Sequence, residues 1–203
     1  MSGSESDTYR SFQELQEAER EGEAWVREYL DRGSRVLVMA PHGGWIEPQT
    51  TELARAVAGQ DLSFYSFIAM KDRGNERLHL TSHRFDDPVA LEAARRADWV
   101  LAIHGERTRG EFFVMVGGGH RQLRASLEDA LVQAGFTLKK PREGLGGLRS
   151  DNICNRGGEG GGGQLEISEG LRKQFQEQPR YLERFVRAVR GVLIPLEMSW
   201  ERD

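Results

Sequence analysis

The sequence predicts an α/β fold: a single domain with a mixed, mostly parallel sheet flanked by helices. Three observations predict it. Short apolar, β-branched runs at 35–40, 62–70 and 99–103 read as buried strands. Stretches with apolar residues at helical spacing separate them, the alternation that builds a sheet covered on both faces. No repeat, linker or shift in composition divides the 203 residues, which suffice for one well-buried core.

Each element follows in order. Residues 1–8 read as a loose polar tail and 9–203 as the domain. Over 12–30 the apolar positions Phe12, Leu15, Ala18, Trp25, Val26, Tyr29 and Leu30 come at roughly helical spacing, with Gly22 breaking them into one interrupted helix or two short ones. The run 35–40 is a buried central strand that ends in a Pro41-His-Gly-Gly44 loop, and 47–58 is helical. Residues 62–70 and 78–82 read as strands. Asp87-Pro88 opens a helix to 97, an acidic cap followed by proline in the first turn. A strand over 99–103 ends at His104-Gly105, and 112–116 is another. Leu123, Leu127, Ala130, Leu131 and Ala134 stripe a helix, 164–167 is a short strand, and 181–192 is the last helix.

Composition narrows the function classes. Hydrophobic residues at 38% and charged residues at 30% describe a soluble globular chain. A net charge of −4 argues against a general nucleic-acid binder, which needs excess cations to neutralise phosphates. No apolar run approaches the roughly 20 residues that cross a bilayer, and residues 1–10 lack the apolar stretch of a signal peptide. A cytoplasmic location is expected, with release by lysis as the route to any extracellular role, and a monomer is expected. The lone Cys154 excludes an internal disulfide and a cysteine-only metal site, and reads as a buried thiol.

The chemistry should sit outside the carboxyl ends of the strands. Two strand ends carry a histidine followed by glycine, His42-Gly43-Gly44 and His104-Gly105, and Glu47 follows the first by five residues. His42, Glu47 and His104 form a His2Glu set that leaves a fourth tetrahedral position open, as a catalytic zinc requires. On these residues alone that reading stands beside the plainer one of two hydrogen-bonded loop histidines. His79 and His83, four apart on an expected strand, lie about 13 Å from each other and cannot share an ion. His79 reads as a packing residue or one that backs a ligand, and His120 as a surface residue or a helix cap. The run Gly157–Gly163, broken by Glu159, lacks the Gly-Lys-Ser/Thr ending of a phosphate loop and reads as a flexible lid or a loop bordering the site. Glu166 stands in an apolar strand between Leu165 and Ile167. A carboxylate there is either ion-paired or functional.

The motifs together resemble a known family. Ala40-Pro-His-Gly-Gly-Trp-Ile-Glu47 with Thr51-Glu-Leu-Ala54, Leu78-His-Leu-Thr-Ser82 with Phe85-Asp-Asp-Pro88, Ile103-His-Gly105, Asn152-Ile-Cys-Asn-Arg156 and Gln164-Leu-Glu-Ile-Ser-Glu-Gly-Leu-Arg172 resemble the phage-type poly-γ-glutamate hydrolases over nearly the whole chain. The resemblance implies a zinc carboxypeptidase-like fold and internal cleavage of an anionic γ-linked glutamate polymer. It implies that His42, Glu47 and His104 hold zinc, that Glu166 activates water, and that Asn155 and Arg156 hold a substrate carboxylate. Arg73 and Arg84 are further candidate anchors, from local arginine density. Two alternatives stay open: a zinc deacylase of N-acyl amino acids, and a non-catalytic phage or host binding protein on the same fold.

Overall fold

Apolar side chains alternate along the central run, and the two sets enter two different cores. Val36, Val38 and Ala40 face one side of the sheet, and Leu37 and Met39 face the other. In a computed structural model, which describes residues 7–198, these residues belong to β2 (Val36–Gly44) at the centre of a six-stranded sheet. The other strands are β1 (Trp25–Leu30), β3 (Ser63–Ala69), β4 (Trp99–Glu106), β5 (Val114–Gly117) and β6 (Gly163–Ser168), in the order β1-β3-β2-β4-β6-β5. The inner pairings β3/β2, β2/β4 and β4/β6 are parallel, and the edge strands β1 and β5 run antiparallel. The expected mixed, mostly parallel sheet is therefore present.

Helices cover both faces. Leu53, Ala54 and Val57 of α2 (Thr50–Ala58), Leu123, Leu127 and Leu131 of α4 (Arg121–Gln133), Leu171 and Phe175 of α5 (Glu169–Glu177), and Phe185, Val189 and Leu193 of α6 (Pro179–Met198) close one core. Phe12 and Leu15 of α1 (Phe12–Ala18) and Ala90, Ala93 and Ala94 of α3 (Pro88–Arg96) close the other. Asp87 caps α3 by accepting from the Val89 amide, and His120 caps α4 by accepting from Leu123, both as the sequence suggests.

Four expectations are corrected. Residues 25–30 form a strand, not helix: Trp25 is buried and stacks on Phe67 at 5.2 Å, and the segment pairs edge-on with β3. Residues 78–82 form no strand. A 3-10 turn (Asn75–Leu78) leads into irregular chain, and the Leu78/Leu80 alternation records which side chains are buried rather than a ladder. Pro41-His42 and His104-Gly105 lie within β2 and β4 rather than in loops after them. Of the expected loose tail, residues 1–6 lie outside the described residues, but Asp7 is anchored, its side chain 1% exposed.

The topology makes one crevice. β2 pairs with β4 only as far as Met39 opposite Ala102, and beyond that point the two strands separate. The chain leaves β2 toward β3 on one side and reaches β4 on the other, so the strand order reverses there. Such a switch point is where open α/β sheets bind ligands.

Candidate active site

His42 follows Pro41, which has no amide hydrogen to give the ladder, and the β2–β3 register shifts between Ala40 and Gly43. Gly43 is obligatory there, because a Cβ would lie 2.2 Å from Thr51 Oγ1 and 2.5 Å from Ser66 Oγ. The chain then turns back, with the Glu47 amide donating to the His42 carbonyl at 3.0 Å, and the carboxylate of Glu47 swings under the His42 ring. Gln49, at φ 77°, is the one described non-glycine residue in the left-handed region, so the turn carrying Glu47 is strained. Gly105 is as constrained: a Cβ would meet the Arg172 guanidinium at 2.6 Å and Glu47 Cβ at 3.0 Å. These glycines make room for protein groups behind the site.

Three ligand atoms converge. His42 Nδ1 lies 2.8 Å from Glu47 Oε1 and 3.2 Å from His104 Nδ1, and His104 Nδ1 lies 3.4 Å from Glu47 Oε2. A tetrahedral ion with bonds of about 2.0–2.2 Å sets its ligand atoms roughly 3.3–3.6 Å apart, so the two nitrogens and one Glu47 oxygen could take one by opening outward a few tenths of an ångström. The far ring nitrogens are fixed from behind. His42 Nε2 donates to the Leu80 carbonyl at 2.8 Å, since a carbonyl only accepts, which leaves the lone pair of a neutral ring on Nδ1. His104 Nε2 lies 3.4 Å from Ser82 Oγ. Burial pushes His42 down to about 4, so its ring is neutral at pH 7 as a ligand must be. His104 goes the other way: burial lowers it, but the charges of Glu47 and Glu166 outweigh that and raise it. Burial alone would raise Glu47, and the two histidines hold it well below the usual carboxylate range. The Gly105 amide also donates to Glu47 Oε2 at 2.8 Å.

A looser set exists. His42, Glu47 and His79 each bring a ligand atom within 4.8 Å of the others. The His79 ring lies 4.1 Å from that of His42, but its Nδ1 is bonded to Asp7 at 3.0 Å and its side chain is one-third exposed. The set with His104 is tighter, and His104 is buried where His79 is not.

Glu166 stands beside His104 as its register partner on β6 and shares its face. Burial pushes its carboxyl up to about 7, with the charges of Glu47 and Glu106 adding and that of His104 opposing. Gln164 Nε2 donates to Glu166 Oε1 at 3.3 Å, and the other oxygen has no hydrogen bond among the described residues. Below the site lies Arg172, which sequence reading passed over. Its guanidinium is buried, with Nε on the Pro48 carbonyl at 2.9 Å and Nη1 on the Glu106 and Ile167 carbonyls. It ties the Glu47 turn to the ends of β4 and β6. A cation three residues before Phe175, on the face α5 turns to the core, was the signal for it.

Asn155 is not assembled with this cluster. Its Oδ1 accepts from the Gly119 and Gly162 amides at 2.8 and 3.0 Å, and its Nδ2 donates to the Gly147 and Arg149 carbonyls, both at 2.7 Å. That uses both N–H groups and both lone pairs within the loops it joins. Gly162 also lies four residues, about 13 Å of extended strand, before Glu166. Arg156 is exposed, and its Nε donates to the Asp151 carbonyl at 3.3 Å. The glycine run is no free lid: Gly158 and Glu159 donate to the Ala97 and Asp98 carbonyls, and a Cβ at Gly162 would strike the Cys154 and Val100 carbonyls. Cys154 is an inert thiol, pushed by burial up to about 12.

Comparison with known proteins places the chain among relatives. The chain is 35% identical to the UPF0714 protein YmaC of Bacillus subtilis (strain 168), over 92% of this chain and 84% of that protein. A bacteriophage poly-gamma-glutamate hydrolase superposes with a TM-score of 0.88 at 28% identity, covering 94% of this chain and 98% of that one. A zinc-free apo form of YNDL superposes at 0.85 and 31% identity, covering 96% and 99%. The sequence model of the poly-gamma-glutamate hydrolases matches residues 9–189, and the chain belongs to that family.

Proposed function

We propose that this hydrolase is zinc-dependent and cleaves γ-glutamyl amide bonds inside poly-γ-glutamate. The observation that carries the reading is the convergence of His42 Nδ1, His104 Nδ1 and the two Glu47 carboxylate oxygens through contacts of 2.8, 3.2 and 3.4 Å, with Glu166 alongside. The phage hydrolase and zinc-free YNDL among its structural relatives support both halves of it.

Zinc held by His42, Glu47 and His104 would supply Lewis acidity to the scissile carbonyl and to the attacking water. The remaining work falls to the chain. Glu166 takes a proton from the water on the carboxylate oxygen that Gln164 leaves open, and returns it to the departing amide nitrogen. A carboxyl near 7 is poised for both transfers at neutral pH. Arg172 holds the Glu47 turn against the ends of β4 and β6, so the ligands and the base keep their spacing. Arg156 has both Nη groups without a hydrogen bond among the described residues, and offers them to an α-carboxylate of the polymer.

The test is a digest of γ-linked polyglutamate followed by size-exclusion chromatography. A rapid fall in chain length before free glutamate appears is the expected result. Glutamate released from otherwise full-length polymer would indicate an exopeptidase. Turnover of N-acylglutamate with the polymer untouched would favour the deacylase.

A further inference from the structure

The two rings at the centre of the site are not oriented by neighbours in their own strands. Both are met from behind by one irregular segment, residues 79–82, whose Leu80 carbonyl accepts from His42 Nε2 and whose Ser82 Oγ faces His104 Nε2. His79 of the same segment packs its ring against His42 at 4.1 Å. A carbonyl and a hydroxyl fix tautomers only if their own positions are fixed, and this segment has no strand partner to fix it.

The Ile153 amide holds the segment's far end, donating to the Ser82 carbonyl at 2.9 Å, and Asp7 holds the rest. One carboxylate oxygen accepts from His79 Nδ1 at 3.0 Å and from Thr81 Oγ1 at 3.0 Å, and the other accepts from the Thr81 amide at 2.9 Å. The side chain is 1% exposed, so these bonds are made out of water, where they are strong. Arg84 stands at 3.9 Å, half exposed. Burial works against the charge, yet the bonds from His79 and Thr81 outweigh it and hold the carboxyl at about 2. No other described side chain bonds to the segment at both its first and third residues.

We propose that Asp7 is a positioning residue for the metal centre, clamping residues 79–82 so that Leu80 and Ser82 present His42 and His104 with both Nδ1 lone pairs facing the ion. This rests on the reading of His42, Glu47 and His104 as the ligands. Outer partners that orient ligating histidines typically carry a 10–100-fold share of metal affinity. The clamp acts on two ligands at once, which places its effect at the upper part of that range.

The experiment measures zinc affinity by chelator competition at pH 7, and the visible spectrum of the cobalt(II)-loaded protein, for wild type, D7N and E14Q. Glu14 is a second carboxylate near the N-terminus, paired with Arg10 at the surface, and serves as the control. The melting temperature of each metal-free protein is recorded alongside. D7N is expected to bind zinc at least about tenfold more weakly than wild type, with a displaced cobalt band. E14Q should match wild type in both. A lower metal-free melting temperature in D7N, with zinc affinity within twofold of wild type and an unchanged cobalt spectrum, would overturn the proposal, since a merely structural role moves only the former. Wild type that binds no zinc would overturn the ligand reading itself, and the clamp with it. Should D7N fail to fold, Thr81→Val removes one of the three bonds at constant volume, and about a threefold loss of affinity is expected; no change would again overturn the proposal.

Discussion

Two regions of this molecule carry the polar and glycine-rich motifs that catch the eye in the sequence, and they use them in opposite ways. At the split between β2 and β4, His42, Glu47 and His104 point three ligand atoms at a common volume, and Glu166 brings a carboxylate to its edge. Around Asn155 and the run 157–163, every polar atom of the asparagine amide is bonded inward, to Gly119, Gly147, Arg149 and Gly162. The first region gathers imidazole nitrogens and carboxylate oxygens, a donor set that suits a cation, from three separate parts of the chain. The second turns its polar atoms to backbone groups of neighbouring loops. A site is recognised by that convergence of side chains rather than by the abundance of histidine, asparagine or glycine.

The comparison can be broken most decisively at the ligands. His42→Ala or His104→Ala should lose zinc affinity by well over the roughly 10–100-fold that outer partners cost, and abolish hydrolysis of γ-polyglutamate, as metal analysis and a digest would reveal. Next is Glu166→Gln, which keeps the Gln164 contact but removes the base. Zinc should remain stoichiometric while turnover falls about 10²–10⁴-fold in a steady-state assay. Retained turnover would make Glu166 a structural carboxylate.

The second region predicts the reverse behaviour. Asn155→Ala should leave two amides and two carbonyls without their partner and cost about 1–3 kcal/mol of stability, read by denaturant unfolding, with KM for the polymer little changed. Its neighbour should differ from it: Arg156→Ala should leave stability intact and raise KM about tenfold at low salt, less as salt rises. If Asn155→Ala instead raised KM at unchanged stability, the division between the two regions would fail.

A further expected effect, of the same size as the loss at Asn155, is in pH. The Glu166 carboxyl is pushed from 4.5 up to about 7 in the folded, metal-free chain. A group raised on folding contributes stability that is full below its unfolded value and lost as pH rises through its folded one. Metal-free wild type should therefore weaken between about pH 5 and 8 relative to metal-free E166Q, by roughly 1–3 kcal/mol, as unfolding at a series of pH values would report. Parallel curves would mean that Glu166 is better solvated than its burial implies.

Much of this was legible in the sequence, for identifiable reasons. Buried parallel strands announce themselves as unbroken β-branched runs, so 35–40 and 99–103 could be placed, and with them the histidines at their ends. Glu166 stood out because a carboxylate between Leu165 and Ile167 is anomalous in itself. The segment 25–30 was misread because six residues with Trp, Val and Tyr fit either period, and only the pairing with β3 decides. Residues 78–82 alternated for want of a better reason: Leu78 and Leu80 are buried by a segment that Asp7 pins, across 72 residues of sequence or more. Such long-range polar contacts leave no local pattern. Asp7 went unseen for that reason, whereas Arg172 did leave a local signal as a cation on the core face of α5; at Asn155 sequence shows the capacity to bond but not the existing partners.

The central claim is the identity of the three ligands, and anomalous diffraction at the zinc edge from crystals of the zinc-loaded protein tests it most directly. The account predicts one strong peak about 2.0–2.2 Å from His42 Nδ1, His104 Nδ1 and a Glu47 carboxylate oxygen, with Glu166 outside bonding distance. A peak coordinated by His79 in place of His104, or no peak at the split between β2 and β4, would contradict it.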